Sequence, residues 1–263
     1  MVKLLEGPTA LVTGGGQGVG QGIARALAEA GANVAVAQRN ADQGEEEARY
    51  LRDTHGVDAF FTRTDVTKRA EVEAMVETAH RRFGRLDILV NNAGGSFPKR
   101  IEKHTDEEME GSFALNYYAV FWAMQAAFPI MKAQGYGRVI NLGSLNGVNA
   151  HMFTVAYNAS KEAMRALTRT AAVEWGPSGI TCNVICPSAV SPQAKDYFEA
   201  NPEMTEAILR QVPAGRFGDA EKDIGPVAVF LASEGGGYMS GNTLFADGGA
   251  QVNGVAWRPA VED

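Results

Sequence analysis

Short apolar runs and longer segments of helical periodicity alternate along almost the whole chain. Thr9–Thr13 (TALVT), Asn33–Gln38 (NVAVAQ), Asp58–Thr64, Leu86–Asn91 (LDILVN), Arg138–Leu142, Ile180–Cys186 and Thr243–Ala246 read as strands. Between them lie helical patterns at Val19–Ala30, Ala41–His55, Arg69–Arg82, Val155–Glu174 and Glu221–Ser233. Another long helix is announced by the capping box Thr105-Asp106-Glu107-Glu108 and runs to about Lys132. Successive strands separated by a helix's worth of chain cannot be hairpin partners. The alternation therefore predicts right-handed βαβ units: an α/β fold with a doubly wound parallel sheet of about seven strands and helices on both faces.

Nothing divides the 263 residues, since no linker, repeat or low-complexity tract interrupts the pattern. One domain is expected over 1–263, with a substrate lid at about 191–216 and a C-terminal tail at about 250–263. A formal charge of −7 argues against a nucleic-acid surface. No apolar run is long enough to cross a membrane, and Met1–Pro8 lacks the apolar stretch of a signal peptide, so a cytoplasmic protein is expected. Cys182 and Cys186 lie four apart on one strand, which separates them by roughly 13 Å, about twice a disulfide's reach. No histidine is close in sequence to complete a metal site, so two buried thiols are expected, and no metal.

The first strand runs into Thr13-Gly14-Gly15-Gly16-Gln17-Gly18-Val19-Gly20. Glycine there lets the backbone turn sharply and approach a pyrophosphate, which can rest on the free N–H groups of the following helix. The spacing is Gly-x3-Gly-x-Gly rather than the Gly-x-Gly-x2-Gly of the general dinucleotide fingerprint.

Tyr157 and Lys161 are four apart on a predicted helix and so share a face. A tyrosine with its usual pKa near 10 is a poor base at neutral pH. Lowering it by about two units takes about 2.7 kcal/mol, which a neighbouring ammonium in a dry site can supply. Ser144 ends the fifth strand, where ligand-binding residues of parallel sheets collect. Its hydroxyl can bond a substrate oxygen. Asn116, inside the apolar run Phe113–Tyr118, is a candidate to hold a water for proton relay.

Taken together, these pieces resemble the classical short-chain dehydrogenases/reductases over about residues 7–250. The resemblance is carried by the TGGGQGVG turn, Asp65-Val66, Asn91-Asn92-Ala93-Gly94, Asn116, Ser144, Tyr157-Asn158-Ala159-Ser160-Lys161 and Asp247-Gly248-Gly249. It implies a Rossmann-like fold and a catalytic set of Asn116, Ser144, Tyr157 and Lys161. The tyrosine would exchange the substrate proton and the serine orient the oxygen. The lysine would hold the nicotinamide ribose and lower the tyrosine pKa. The expected dinucleotide contacts are Gly14, Gln17, Gly18, Val19, Gly20, Gln38, Arg39, Asp65, Val66, Asn92, Ala93, Gly94, Tyr157, Lys161, Pro187 and Val190. Two positions depart from the family pattern: Ser188 stands where glycine usually follows Pro187, and Ser191-Pro192 where a threonine usually meets the carboxamide.

The implied activity is hydride transfer between NAD(P)(H) and a carbonyl or secondary alcohol. At the end of the second strand, where NAD-preferring relatives carry a carboxylate, this chain has Gln38 and then Arg39. NADP(H) is therefore expected over NAD(H), although Gln17 occupies a position that is often basic in NADP-preferring relatives. Candidate substrate-pocket residues are Asn146, His151, Phe153 and Tyr197. Lid residues Tyr197, Phe198, Met204, Ile208 and Leu209 could cover an apolar substrate or merely anchor short helices. Phe113–Phe128 and Ala163–Trp175 are apolar on more than one side, which predicts a homo-oligomer, in the resembled family commonly a tetramer. Two alternatives are weaker. A sugar-nucleotide epimerase or dehydratase would need a longer C-terminal region, and a non-catalytic dinucleotide sensor would not need to keep both Tyr157 and Lys161.

Overall fold

The structure, a computed structural model, describes residues 3–189 and 198–252. Seven strands form one sheet in the order β3-β2-β1-β4-β5-β6-β7, and every pairing is parallel. They are β1 Thr9–Thr13, β2 Asn33–Gln38, β3 Ala59–Arg63, β4 Ile88–Asn91, β5 Gly137–Leu142, β6 Ile180–Pro187 and β7 Thr243–Ala246. The helices are α1 Gly18–Glu29, α2 Ala41–His55, α3 Arg69–Phe83, α4 Asp106–Phe113, α5 Ala119–Gln134, α6 Leu145–Val148, α7 Val155–Trp175, α8 Pro202–Leu209 and α9 Gly225–Ala232.

Side chains alternate across the sheet, so each strand feeds two cores. Val12, Val34, Val36, Val90, Ile140 and Ile185 meet α1 and α9 through Ile23, Leu27, Ala228 and Leu231. On the other face Leu11, Leu89, Val139 and Val184 meet α3, α5 and α7 through Met75, Met124 and Met164. Cys182 and Cys186 belong to this second face, fully buried and free. One polar chain crosses it: Asn91 Nδ2 donates to Asn141 Oδ1 at 2.8 Å, Asn141 Nδ2 to Thr168 Oγ1 at 2.9 Å, and Thr168 Oγ1 to the Met164 carbonyl at 2.8 Å.

Strand order reverses between β1 and β4, so the chain leaves their C-terminal ends in opposite directions and opens a crevice. Three details differ from the sequence expectations. The long helix after the Thr105 capping box is interrupted by a π turn at Ala114–Tyr118, and a second π turn, Ala220–Ile224, precedes α9. The stretch expected as a lid contains α8. The fourth strand starts at Ile88 rather than Leu86, because the buried Asp87 carboxylate accepts bonds from Thr9 N–H and Arg85.

Candidate active site

The crevice has a volume of about 610 Å³ and runs from the glycine turn to Tyr157. At its start, Gly14 takes a left-handed φ of 65° while its N–H donates to the Ala37 carbonyl. A Cβ on Gly20 would collide with the Gly14 carbonyl and the Asn92 side chain, so only glycine lets α1 start this close to the turn. The N-cap residue of α1, Gln17, makes no side-chain cap, which leaves the first-turn N–H groups open to an anion. Asn92 and Ala93 tie β4 to this turn: both N–H groups donate to Thr13 Oγ1 at 3.0 Å, and Asn92 Nδ2 donates to the Thr13 carbonyl at 2.9 Å.

The adenosine end holds Gln38 and Arg39. Gln38 is nearly buried, its Oε1 accepting from Gly16 N–H and its Nε2 donating to the Asn40 carbonyl, both at 2.9 Å. Arg39 lines the crevice, exposed, and makes no ion pair among the described residues. One oxygen of Asp65 accepts from Thr67 N–H and Oγ1, a local turn that also lowers its pKa, and its neighbours Thr64 and Val66 line the crevice. Gly14, Gly18, Val19, Asn92, Ala93 and Gly94 line it as expected. Pro187 closes β6 opposite Ala246, and Val190 lies outside the described residues.

At the far end, Ser144 caps α6, its Oγ accepting from Asn146 N–H at 3.1 Å, and its hydroxyl favours the Tyr157 phenolate. Tyr157 and Lys161 lie on one face of α7, the Lys161 Nζ 5.6 Å from the Tyr157 ring centre. Lys161 is 3% exposed and its Nζ donates to the Leu142 carbonyl at 2.7 Å. Burial brings this ammonium down from 10.5 to about 8. Burial pushes the Tyr157 phenol above its usual 10, and the Ser144 hydroxyl offsets only part of that rise. Burial is the largest influence on the phenol, and the Lys161 ammonium is bonded to the Leu142 carbonyl.

Asn116 is fully buried in the π turn. Its Nδ2 donates to the Gly95 carbonyl and the Ser112 carbonyl, each at 3.0 Å, and its Oδ1 accepts from Gly95 N–H at 3.1 Å. With both amide hydrogens spent, its side chain anchors the Gly94–Gly95 loop, where a relay water had been expected. A Cβ on Gly94 would lie 2.7 Å from Asn116 Oδ1 and 3.3 Å from Lys161 Nζ, which shows how tightly these three positions converge. Thr13, Thr64 and Leu115 were missed by the sequence reading; only Thr13 carried a signal, as the residue opening the glycine turn.

Among the substrate candidates, Asn146 acts through its backbone, its N–H on Ser144 and its carbonyl accepting from His151 N–H. His151 is exposed, its ring bonded to the next carbonyl rather than aimed at Tyr157. Phe153 is 47% exposed with φ 67°. Tyr197 lies outside the described residues. None of the described helices is long and apolar enough to cross a membrane.

The family model described as "Enoyl-(Acyl carrier protein) reductase" matches residues 14–251. A 12alpha-hydroxysteroid dehydrogenase of Clostridium sp. is 38% identical over 94% of this chain and 97% of its own length. The Pseudomonas aeruginosa RhlG/NADP active-site complex superposes with a TM-score of 0.87 at 35% identity, covering 95% of this chain and 98% of that one. An NAD+-bound xylitol dehydrogenase also gives 0.87, at 30% identity over 93% and 99%. With strand order, glycine turn and the Ser-Tyr-Lys geometry all in agreement, the chain belongs to the classical short-chain dehydrogenases/reductases and is an NAD(P)-dependent oxidoreductase of carbonyls and alcohols.

Proposed function

We propose that Tyr157 is the general acid/base, with Ser144 orienting the substrate oxygen, Lys161 holding the cofactor ribose and Asn116 positioning the loop beside them. The observation that carries this reading is that the Ser144–Tyr157 hydroxyl pair and the Lys161 Nζ stand together where the dinucleotide crevice ends. The residues fit a dinucleotide: a glycine turn that admits no Cβ at Gly20, uncapped N–H groups on α1, and a buried ammonium near the far end. A bound dinucleotide supplies or accepts the hydride. In oxidation the Tyr157 oxygen takes the alcohol proton while Ser144 holds the oxygen that becomes the carbonyl; in reduction Tyr157 returns a proton to that oxygen.

NADP(H) is the favoured cofactor in this reading. Gln38 carries no charge and its side chain is already spent on Gly16 and Asn40, whereas Arg39 is a cation at the crevice edge with no ion pair among the described residues. Assembly follows from the outer face of α5 and α7. Tyr118, 44% exposed, stacks on Trp122, and Val173 is 79% exposed, an apolar face that a homotetramer would cover. The enzyme would then be a cytoplasmic tetramer.

The test is Tyr157→Phe, assayed at 340 nm with both cofactors against ketones and secondary alcohols. Turnover should fall at least a hundredfold, on the order expected for an acid/base group, with cofactor affinity within a few-fold. Retention of more than about a tenth of kcat would show that another group moves the proton.

A further inference from the structure

The adenosine end of the crevice is built from the first turns of two helices. Gln17, the N-cap residue of α1, and Gln43, in the first turn of α2, both line it, and the same two residues line a second cavity of about 310 Å³. Gln21 and Arg25 of α1 and Glu47 and Tyr50 of α2 complete that second cavity, which lies between the helices. Further along, Leu27 and Leu51 share an apolar core. Next to the crevice the two helices meet instead across a cavity and a buried charge.

That charge is Glu47, 1% exposed. Among the described residues, every hydrogen bond between α1 and α2 ends on its carboxylate. Oε1 accepts from Arg25 Nε and Oε2 from Arg25 Nη2, both at 2.8 Å, and Oε2 also accepts from Gln21 Nε2. The guanidinium lies 4.1 Å over the Tyr50 ring and 3.7 Å from Glu221 in the π turn before α9. A buried ion pair is a poor source of stability, because apolar side chains of similar volume fill such a place without the desolvation cost. What two parallel bonds between planar groups do supply is a fixed relative placement. On one side α1 is already seated by backbone contact, since a Cβ on Gly22 would collide with the Ala220 backbone. The side of α2 that faces α1 is held by Glu47. Seven residues separate Glu47 from Asn40, the N-cap of α2, so a displacement there is carried about 10 Å along a stiff helix to the Arg39 end.

We propose that Glu47 is a positioning residue for the dinucleotide: by bonding Gln21 and Arg25 it sets the span between the first-turn N–H groups of α1 and Arg39 at the head of α2, and so sharpens the choice of NADP(H) over NAD(H). The inference rests on the cofactor reading above, in which the pyrophosphate meets α1 and the 2′-phosphate meets Arg39, and it adds a residue that touches neither. A ligand held at two places gains from both only when their spacing matches its own. NAD(H) lacks the 2′-phosphate and tolerates an error in that spacing.

The experiment measures binding to the full chain by calorimetry, with NADP+, NAD+ and adenosine 2′-monophosphate, a fragment that reaches only the α2 end. Glu47→Gln keeps the side-chain volume and removes the charge. The double variant Arg25→Leu with Glu47→Leu replaces the pair by apolar side chains and decides the matter should the single variant not fold. In both, Kd for NADP+ should rise about tenfold, while Kd for NAD+ and for the fragment changes by no more than about twofold. KM for NADP(H) should follow its Kd, with kcat at saturating cofactor within about twofold. Loss of a carboxylate by itself favours an anionic ligand, so the expected weakening is opposite in sign to a plain charge effect. Glu45→Gln, exposed on the same helix, should match the wild type for all three ligands. A merely structural role gives another pattern: fewer binding sites per chain at unchanged Kd, or an equal loss for every ligand. Either pattern, an unaltered Kd for NADP+, or the same loss in Glu45→Gln would overturn the positioning role. A wild type that binds NADP+ no more tightly than NAD+ would instead remove the Arg39 reading. The span is then judged on NAD+ against adenosine: a loss of about tenfold confined to NAD+ supports Glu47, and an equal or absent loss refutes it.

Discussion

Replacing Lys161 by methionine should make this protein more stable and inactive at once. Lys161 is 3% exposed, and burial brings its ammonium from 10.5 down to about 8. At 1.36 kcal/mol per pH unit, that gap amounts to about 3 kcal/mol working against the folded state at neutral pH. Methionine keeps most of the side-chain volume and removes the charge. It forfeits the Nζ bond to the Leu142 carbonyl, worth about 1 kcal/mol. At pH 7 Lys161→Met should therefore be more stable than wild type by about 2 kcal/mol. The pH dependence carries the diagnosis. Below about 8 the lysine is protonated in both states, and above 10.5 in neither. Between those values the unfolded chain holds a proton that the folded chain lacks, so raising the pH favours folding of the wild type. The variant's advantage should shrink through that window and turn into a deficit of about 1 kcal/mol at its upper end. Urea denaturation followed by tryptophan fluorescence at pH 7, 8, 9 and 10 measures it. Equal protein concentrations keep any subunit association constant, and groups that titrate in both proteins cancel in the difference. A stability difference that stayed flat with pH, or a variant weaker than wild type at pH 7, would refute the assignment of a costly buried ammonium.

Cofactor choice is tested by Arg39→Ala, which should lower kcat/KM for NADP(H) by about ten- to a hundred-fold and leave NAD(H) nearly unchanged, as expected for partly exposed charge-assisted bonds. Gln38→Asp should move the ratio towards NAD(H). A wild type that prefers NAD(H) would place the Arg39 guanidinium in solvent and leave Gln38 as a neutral partner for the ribose hydroxyls. For assembly, sedimentation at micromolar concentration should show a species of four chains. A single species near 28 kDa would instead return Tyr118, Trp122 and Val173 to an ordinary surface.

Much of this molecule could be read from residue spacing, because two periods are fixed by backbone geometry. Alternation of strand and helix lengths gave the sheet, and the four-residue offset of Tyr157 and Lys161 placed them on one helix face before any fold was known. The glycine turn was legible for a steric reason, since no other residue fits at Gly20. What escaped depends on choices that leave no mark in composition. The segment Ala-Leu-Asn-Tyr-Tyr suits an α-helix as well as the π turn it adopts, so nothing announced that Asn116 would spend its amide on Gly95 and Ser112. Nor did the sequence announce that the Asp65 carboxylate would bond the nearest hydroxyl, Thr67. Phe153 takes a left-handed backbone where its carbonyl accepts from Lys99 N–H, distant in sequence, and no local rule predicts it.

The buried amide chain from Asn91 through Asn141 to Thr168 has a consequence for the catalytic helix. Thr168 lies eleven residues after Tyr157, three turns along and nearly the same azimuth, so Tyr157, Lys161, Met164 and Thr168 form one stripe. Sliding α7 by a single residue would swing that stripe by about 100° and take the Thr168 hydroxyl away from the Asn141 amide in an apolar layer. The strands and the helix are therefore indexed to one another like a key to a shaft. Asn141, through its bond to Thr168, ties β5 to the helix that carries the phenol. A redesign of the pocket that varied residues near Tyr157 would keep its phenol in place only if Asn141 and Thr168 were left alone.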